Sequence, residues 1–323
     1  MGFNAQSTTD DVLEGIDLTG KTAVVTGASG GLGAEAARAL ASKNATVVLA
    51  SRNAAKTTEK AQQLKQLTGN QNIVAVALDL ADIDSARAAS AAIAGDYPVI
   101  DILINNAGLM ACPYEQTAQG LESQFGVNHV GHFVFTMGLL EALKRAASAR
   151  VVALSSGGHK YSGVDLADPN FAETEYNKWQ AYGAAKTANA LFAVEFNRRY
   201  SDFGVTANAV HPGMIITDLG RHLTPEDITF IMAGGKQSGA EKKGGEERAP
   251  AAMRKSIPAG AATSVWAATS PSLENIGGLY LEDCQIAEQV EPGVQSHGYY
   301  PHAVDRQAAR SLWQYTETLV AKL

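Results

Sequence analysis

Short runs of β-branched and other apolar residues recur along the chain without polar alternation, and each is followed by a stretch with helical spacing. Thr22 to Thr26 (TAVVT) opens the series, a glycine cluster follows, and the alanine-rich segment Ala34 to Lys43 then predicts a helix. The rhythm returns at Thr46 to Ala50 with Lys56 to Leu67, and at Ile73 to Leu78 with Asp82 to Ile93. Further apolar runs at Ile100 to Ile104, Val151 to Leu154, Val205 to Val210 and Leu279 to Leu281 alternate with helical stretches around Glu122 to Lys144 and Ala184 to Tyr200. About seven strands are expected. Strands apolar on both sides and separated by helices imply a parallel sheet covered on both faces, because crossover helices join parallel neighbours.

The expected fold is therefore α/β, a doubly wound (Rossmann) parallel sheet. No Pro/Ser-rich linker interrupts the alternation, so residues 1–323 are read as a single domain with loop insertions at about 157–181 and 214–260. Gly157 to Ala181 and Gly234 to Pro250 are too polar and irregular for regular elements. They read either as solvated loops or as substrate lids, since long loops in compact domains are often functional.

Composition narrows the function. The 323 residues carry a formal charge of −7, which disfavours nucleic acid as a partner. With 46% hydrophobic and 18% charged residues, the chain has the make-up of a folded globular protein. No apolar run approaches the ~18 residues of a membrane-spanning helix. Met1 to Asp17 carries Asp10, Asp11, Glu14 and Asp17 where a secretory signal would be basic and then apolar. Cys112 and Cys284 form neither a CxxC site nor a disulfide framework. A cytoplasmic protein is expected. The seven histidines are scattered, with no HExxH or carboxylate cluster, and no metal is implied.

The candidate chemistry begins directly after the first strand, at Thr26-Gly27-Ala28-Ser29-Gly30-Gly31-Leu32-Gly33. In such a turn Gly27 permits the tight bend, Gly31 lets the backbone approach a pyrophosphate, and Gly33 lets the helix pack closely. The helix N-terminus then faces the anion. A site that prefers NAD usually has an acid about 20 residues on, at the end of the second strand. Here that strand ends Ser51-Arg52-Asn53, without an acid, and Arg52 has the planar fork that clamps a 2′-phosphate. NADP(H) is expected over NAD(H); the alternative is an ordinary surface arginine. Asp79, followed by Leu80, ends the third strand in a position to accept from an adenine amino group, or to cap a helix.

Tyr182-Gly183-Ala184-Ala185-Lys186 sets a phenol and an ammonium four residues apart, hence on one helix face. A phenol with an unperturbed pKa near ~10 exchanges protons near neutrality only if its anion is favoured, and a close ammonium does that. With these residues in order, the chain resembles the short-chain dehydrogenase/reductase family. The matching residues are Thr26 to Gly33, Asp79, Asn105-Asn106-Ala107-Gly108, Asn128, Ser156, Tyr182 with Lys186, and Pro212-Gly213. The texture of Asn128 to Phe133 and of Gly108 to Tyr114 is similar to the branch of retinol dehydrogenases, the WW-domain oxidoreductase and protochlorophyllide reductase.

The resemblance implies that Tyr182 is the acid/base, that Lys186 also holds the nicotinamide ribose, that Ser156 hydrogen-bonds the substrate oxygen, and that Asn128 anchors a relay water. Ser155 stands beside Ser156 as an alternative. It further implies that Asn106, Ala107 and Gly108 line the adenosine side, that Ile215 and Thr217 after Pro212-Gly213 contact the carboxamide, and that the protein is a homo-oligomer.

Ser156 and Tyr182 lie 26 positions apart, wider than in compact members of the family, and the excess is the irregular 157–181 segment. Pocket candidates are Met110, Pro113, Phe171, Tyr176 and Trp179, each of which also suits packing of the loop. The expected activity is an NADP(H)-dependent interconversion of a carbonyl and an alcohol on a hydrophobic small molecule. The alternatives are a carbon-carbon double-bond reductase using the same site and a cofactor-binding sensor without turnover.

Overall fold

The computed structural model describes residues 2–232, 255–294 and 296–323. Strands form at the β-branched runs, as β1 (Thr22–Thr26), β2 (Thr46–Ser51), β3 (Ile73–Ala77), β4 (Ile102–Asn105), β5 (Ala149–Leu154), β6 (Val205–His211), β7 (Tyr280–Glu282) and β8 (Gln285–Ile286). They make one sheet in the order β3-β2-β1-β4-β5-β6-β7-β8. The first seven are parallel, and β8 adds an antiparallel edge to the seven that the apolar runs predict.

The missing polar alternation has a direct explanation in packing. Val24, Val48, Leu103 and Val151 point into one apolar layer, while Ala23, Val25, Leu49, Ile104 and Val152 point into the other. A sheet buried on both sides needs apolar residues at both parities. The helices are α1 (Thr9–Val12), α2 (Gly31–Ala41), α3 (Ala54–Thr68), α4 (Ile83–Asp96), α5 (Ser123–Phe125), α6 (His132–Gly138), α7 (Leu140–Lys144), α8 (Lys178–Tyr200), α9 (Pro225–Met232), α10 (Ile257–Thr269) and α11 (Arg306–Val320). One layer holds Ile83 of α4, Phe133 of α6, Phe192 of α8 and Trp313 of α11. The other holds Leu40 of α2, Leu64 of α3 and Trp266 of α10.

Two elements depart from the sequence reading. The helix expected over Glu122 to Lys144 is broken, because a π-helical stretch, Gly126–Gly131, separates α5 from α6. Its glycines sit in tight quarters: a Cβ on Gly131 would strike the carbonyl of Leu80, and one on Gly126 would strike the Thr117 methyl. The helix expected to open at Ala184 instead opens at Lys178, where the Asn177 side chain accepts from the N–H groups of Trp179 and Gln180. Tyr182 therefore lies in the second turn of α8 rather than at its start. Helices α9, α10 and α11 lie outside the expected pattern, and Gly234 to Pro250 lies outside the described residues. Among the described residues no helix is long and apolar enough to cross a membrane.

Candidate active site

The strand order reverses at β1, whose neighbours are β2 and β4, so a crevice opens beyond the carboxyl ends of β1 and β4. The glycine turn lies there. Gly27 has φ +66° and Gly31 φ +56°, both in the left-handed region that favours glycine. A Cβ on Gly27 would stand 2.8 Å from the Ala107 Cα, and one on Gly33 would stand 2.6 Å from the Gly27 carbonyl oxygen and run into the Asn106 amide. Gly33 thus lets α2 close on the turn itself. A Cβ on Gly31 would meet only Thr217, at 3.6 Å, so the 212–217 segment faces the turn across a narrow gap.

The start of α2 is also electrically distinct. Side chains of Asn53, Asp82, Asn177, Ser256 and Asp305 cap α3, α4, α8, α10 and α11, whereas the N-cap of α2, Gly30, offers no side-chain acceptor. Uncapped N–H groups with the positive end of the helix dipole behind them suit an anion. This cradle of glycine backbone fits the pyrophosphate of a dinucleotide.

Around it the other sequence-expected cofactor residues gather. The Ser29 N–H donates to the Ser51 hydroxyl at 3.2 Å, tying the turn to the end of β2, where Arg52 is exposed and Asn53 caps α3 through the Lys56 N–H. Asp79 accepts from the Ala81 N–H at 2.9 Å, so one carboxylate oxygen shapes its own turn, and Leu80 is buried beneath Gly131. Ile215 and Leu32 both crowd Gly260. Thr217 accepts from the Leu219 N–H at 3.3 Å, and Gly213, after Pro212, has φ +92°.

Thr26 stitches β1 to β4. Its hydroxyl accepts from the N–H groups of Asn106 (2.9 Å) and Ala107 (3.0 Å), while its carbonyl accepts from the Asn106 side chain (2.8 Å). Gly108 follows in close quarters, since a Cβ there would lie 3.0 Å from Asn128 Oδ1 and 3.5 Å from Lys186 Nζ. The Asn128 carboxamide is engaged at both ends with Leu109, accepting from its N–H at 2.7 Å and donating to its carbonyl at 3.0 Å.

On the other side of Lys186 stand Ser156 and Tyr182. Burial pushes the Tyr182 pKa up to about 12, and the Ser156 side chain works against that rise. Burial lowers Lys186 to about 8, and its Nζ lies 5.8 Å from the centre of the Tyr182 ring. Ser155 is differently occupied, its hydroxyl donating to the Lys186 carbonyl at 2.8 Å. Of the two serines, Ser156 is the one whose hydroxyl lies with the Tyr182 ring against Gly158.

Ser156 is supported from behind by distant parts of the chain. His159 Nδ1 lies 2.7 Å from the Ser156 carbonyl, the Tyr280 hydroxyl donates to the same carbonyl at 3.0 Å, and the Tyr300 N–H donates to His159 Nε2 at 3.1 Å. Burial holds His159 neutral, lowering its pKa to about 3. Composition offered no signal for this support.

The apolar candidates divide between the two readings that the sequence allowed. Met110 and Trp179 do join Tyr182 in a small apolar cluster, but Tyr161, Leu223, Phe230 and Ile231 complete it. Phe171 and Tyr176 instead pack edge-to-face with each other, and Tyr176 also with Tyr114, which anchors the 157–181 segment. Helix α9 covers the cluster and is fastened there by Asp227, which accepts from Lys178 Nζ at 2.6 Å and from the Trp179 indole at 3.1 Å. Among the described residues no three His, Cys, Asp or Glu side chains converge as metal ligands.

Known proteins resemble this chain along most of its length. The short chain dehydrogenase family profile matches residues 21–227. A probable oxidoreductase of Streptomyces lividans is 42% identical over 95% of this chain and 100% of its own. Human retinol dehydrogenase 14 is 36% identical over 95% of this chain and 88% of its own. The solved structure of an uncharacterised protein from Mycobacterium paratuberculosis superposes with a TM-score of 0.70 at 30% identity, covering 99% of this chain and 97% of the other.

Proposed function

This chain belongs to the short-chain dehydrogenase/reductase family, in its retinol-dehydrogenase-like branch, and from that premise we propose that it is an NADP(H)-dependent oxidoreductase interconverting a carbonyl and an alcohol on a lipophilic small molecule. The observation that carries the reading is the meeting of Ser156, Tyr182 and Lys186 beside a glycine cradle fit for a pyrophosphate.

When bound, the nicotinamide supplies or accepts the hydride. The chain's own residues manage the oxygen. Ser156 donates a hydrogen bond to the carbonyl oxygen, and Tyr182 delivers its phenolic proton to that oxygen in reduction or takes it in oxidation. Burial alone opposes the phenolate, so the Lys186 ammonium has to work against a raised pKa, and its position along the ring suits that role. Lys186 and Asn128 converge at Gly108, where Lys186 would hold the ribose and Asn128 would anchor a relay water. Both ends of the Asn128 carboxamide are engaged with Leu109, and we assign the relay water to the main-chain carbonyl.

The cofactor reading rests on Ser29 to Gly33, Ser51 to Asn53, Asp79 with Leu80, Asn106 to Gly108 and 212–217 lying at the carboxyl ends of β1, β2, β3, β4 and β6, with Arg52 exposed to meet a 2′-phosphate. We read the chain as one dinucleotide-binding domain whose 157–181 segment and α9 close the substrate end. Tyr161, Trp179 and Phe230 favour a ring-bearing or polyene substrate over a small polar one.

The test is nicotinamide absorbance with purified protein against ketones, aldehydes and alcohols of graded size, retinal among them. The expected result is NADPH oxidation by lipophilic carbonyls, with Tyr182→Phe slower by about 10²–10⁴-fold. Unchanged turnover in Tyr182→Phe would remove the mechanism.

A further inference from the structure

His132 opens α6, deep between the sheet and α8, and is 4% exposed. Its Nδ1 lies 2.9 Å from the main-chain carbonyl of Asn128 and its Nε2 lies 2.8 Å from the hydroxyl of Thr26. A carbonyl only accepts, so Nδ1 carries the ring proton. Burial, with the Lys186 charge nearby, keeps the ring neutral, which leaves Nε2 as an acceptor for the Thr26 hydroxyl. The hydrogen bonds then run one way: the Asn106 and Ala107 N–H groups donate to Thr26, Thr26 to His132, and His132 to Asn128. The glycine turn, the loop after β4 and the π-helical stretch are joined through one imidazole.

We propose that His132 is the positioning residue for the main-chain carbonyl of Asn128, occupying one of its lone pairs so that the other is aimed at the catalytic side. The proposal rests on the reading of Asn128 as the water anchor. A carbonyl oxygen has two lone pairs, and a π-helical stretch leaves its direction less constrained than a regular helix does. Asn128 is tied to Leu109 by its carboxamide, but that bond does not orient the peptide plane. The imidazole does, with Thr26 fixing the ring in turn. The neighbouring His129 serves elsewhere, since its Nε2 meets Thr316 of α11, on the far side of the same turn.

The imidazole has two partners, and two substitutions separate them. Asn places an amide N–H near the Nδ1 position and restores donation to Asn128, whereas Gln places its amide near Nε2, where the carbonyl oxygen accepts from the Thr26 hydroxyl, and restores only that contact. Turnover on the best carbonyl of the screen is expected to fall about 10²-fold in His132→Phe, the scale of a misplaced catalytic group, with substrate KM and the NADPH dissociation constant unchanged. His132→Asn is expected to recover most of that loss and His132→Gln little of it. Independently of any variant, ¹⁵N spectra of the wild type are expected to show His132 as the neutral Nδ1–H tautomer at pH 7.

A folded His132→Phe with wild-type kcat, equal rescue by Gln and Asn, or an Nε2–H tautomer would each overturn the proposal. If His132→Phe does not fold, the spectrum and the Asn/Gln pair decide. Tyr182→Phe in the same assay separates the two levels of failure. If Tyr182→Phe turns over normally, the proposed function falls and this proposal with it; if only the His132 variants behave normally, this proposal falls alone.

Discussion

Lys186 directs its ammonium 3.0 Å to the carbonyl oxygen of Leu154, at a position only 3% exposed and, among the described residues, with no carboxylate paired to it. Asn189 Nδ2 donates to the same oxygen at 2.9 Å, so the carbonyl does not depend on the lysine. Retaining a buried cation that the fold does not need is characteristic of a functional site.

A stability prediction follows from that burial. The folded-state pKa of Lys186 is lowered to about 8 from its ordinary value, so below that pH the folded chain holds an ammonium its surroundings disfavour. As pH rises through about 8 the folded form loses the proton before the unfolded form does, and this group's contribution to stability rises. Lys186→Met is therefore expected to be inactive yet to melt above wild type at pH 7. The gap should narrow as pH approaches the ordinary lysine range. Melting curves of both proteins across pH test it; a gap that widens would contradict the assigned burial cost.

The proposed preference for NADPH rests on Arg52, which stands exposed between Ser51, bonded to the Ser29 N–H, and Asn53, the cap of α3. A hydrogen bond to a charged group is worth about 1.5–3 kcal/mol, so Arg52→Ala should weaken NADPH about 10- to 100-fold while leaving NADH nearly unchanged. Titration of both nucleotides against both proteins measures this. Equal losses for the two would mean that Arg52 does not read the 2′-phosphate.

The glycine turn supplies a matched pair of variants. A Cβ on Gly33 would collide with the Asn106 amide and the Gly27 carbonyl, whereas one on Gly30 meets nothing within 4 Å and the backbone there is extended, at φ −174°. Gly33→Ala should cost about 1–3 kcal/mol of stability, as overpacking does, and Gly30→Ala close to none. Denaturant melts of the two variants decide whether contact at Gly33 is as close as described.

Helix α9 gives the fourth. Asp227 is nearly buried and holds both Lys178 and the Trp179 indole, so Asp227→Ala unfastens the cover over Tyr182 while the glycine turn is untouched. Substrate KM should rise, protease cleavage within 225–232 should quicken, and NADPH affinity should stay at the wild-type level. Asp227→Asn retains an acceptor for the indole and should fall between. Loss of NADPH binding in step with KM would place α9 in the cofactor site instead.

How far the sequence reached depended on the range of the interactions involved. The turn at Gly27 and Gly31 and the placing of Tyr182 and Lys186 on one helix were legible because they are local backbone geometry: a positive φ after a strand, or a spacing of four on a helix. The two buried faces of the sheet were legible from the absent alternation. The π-helical stretch was not, since one turn of altered winding leaves an apolar pattern almost intact. Nor was the company of Tyr182: Phe230 and Ile231 reach it because Asp227 finds Lys178, 49 residues away, and no local spacing encodes that pairing. Phe171 and Tyr176 were aromatic in a promising segment and instead pack each other.

The span recognised as the family's own ends at residue 227, and every side chain proposed to touch the reacting oxygen lies inside it. The props behind Ser156, Tyr280 and Tyr300, lie outside. A fragment cut at that border would thus retain the full set of chemical instruments without the bench on which one of them is mounted. On the proposed roles, the scaffolding of Ser156 reaches some seventy residues farther along the chain than the signature by which its kin are known.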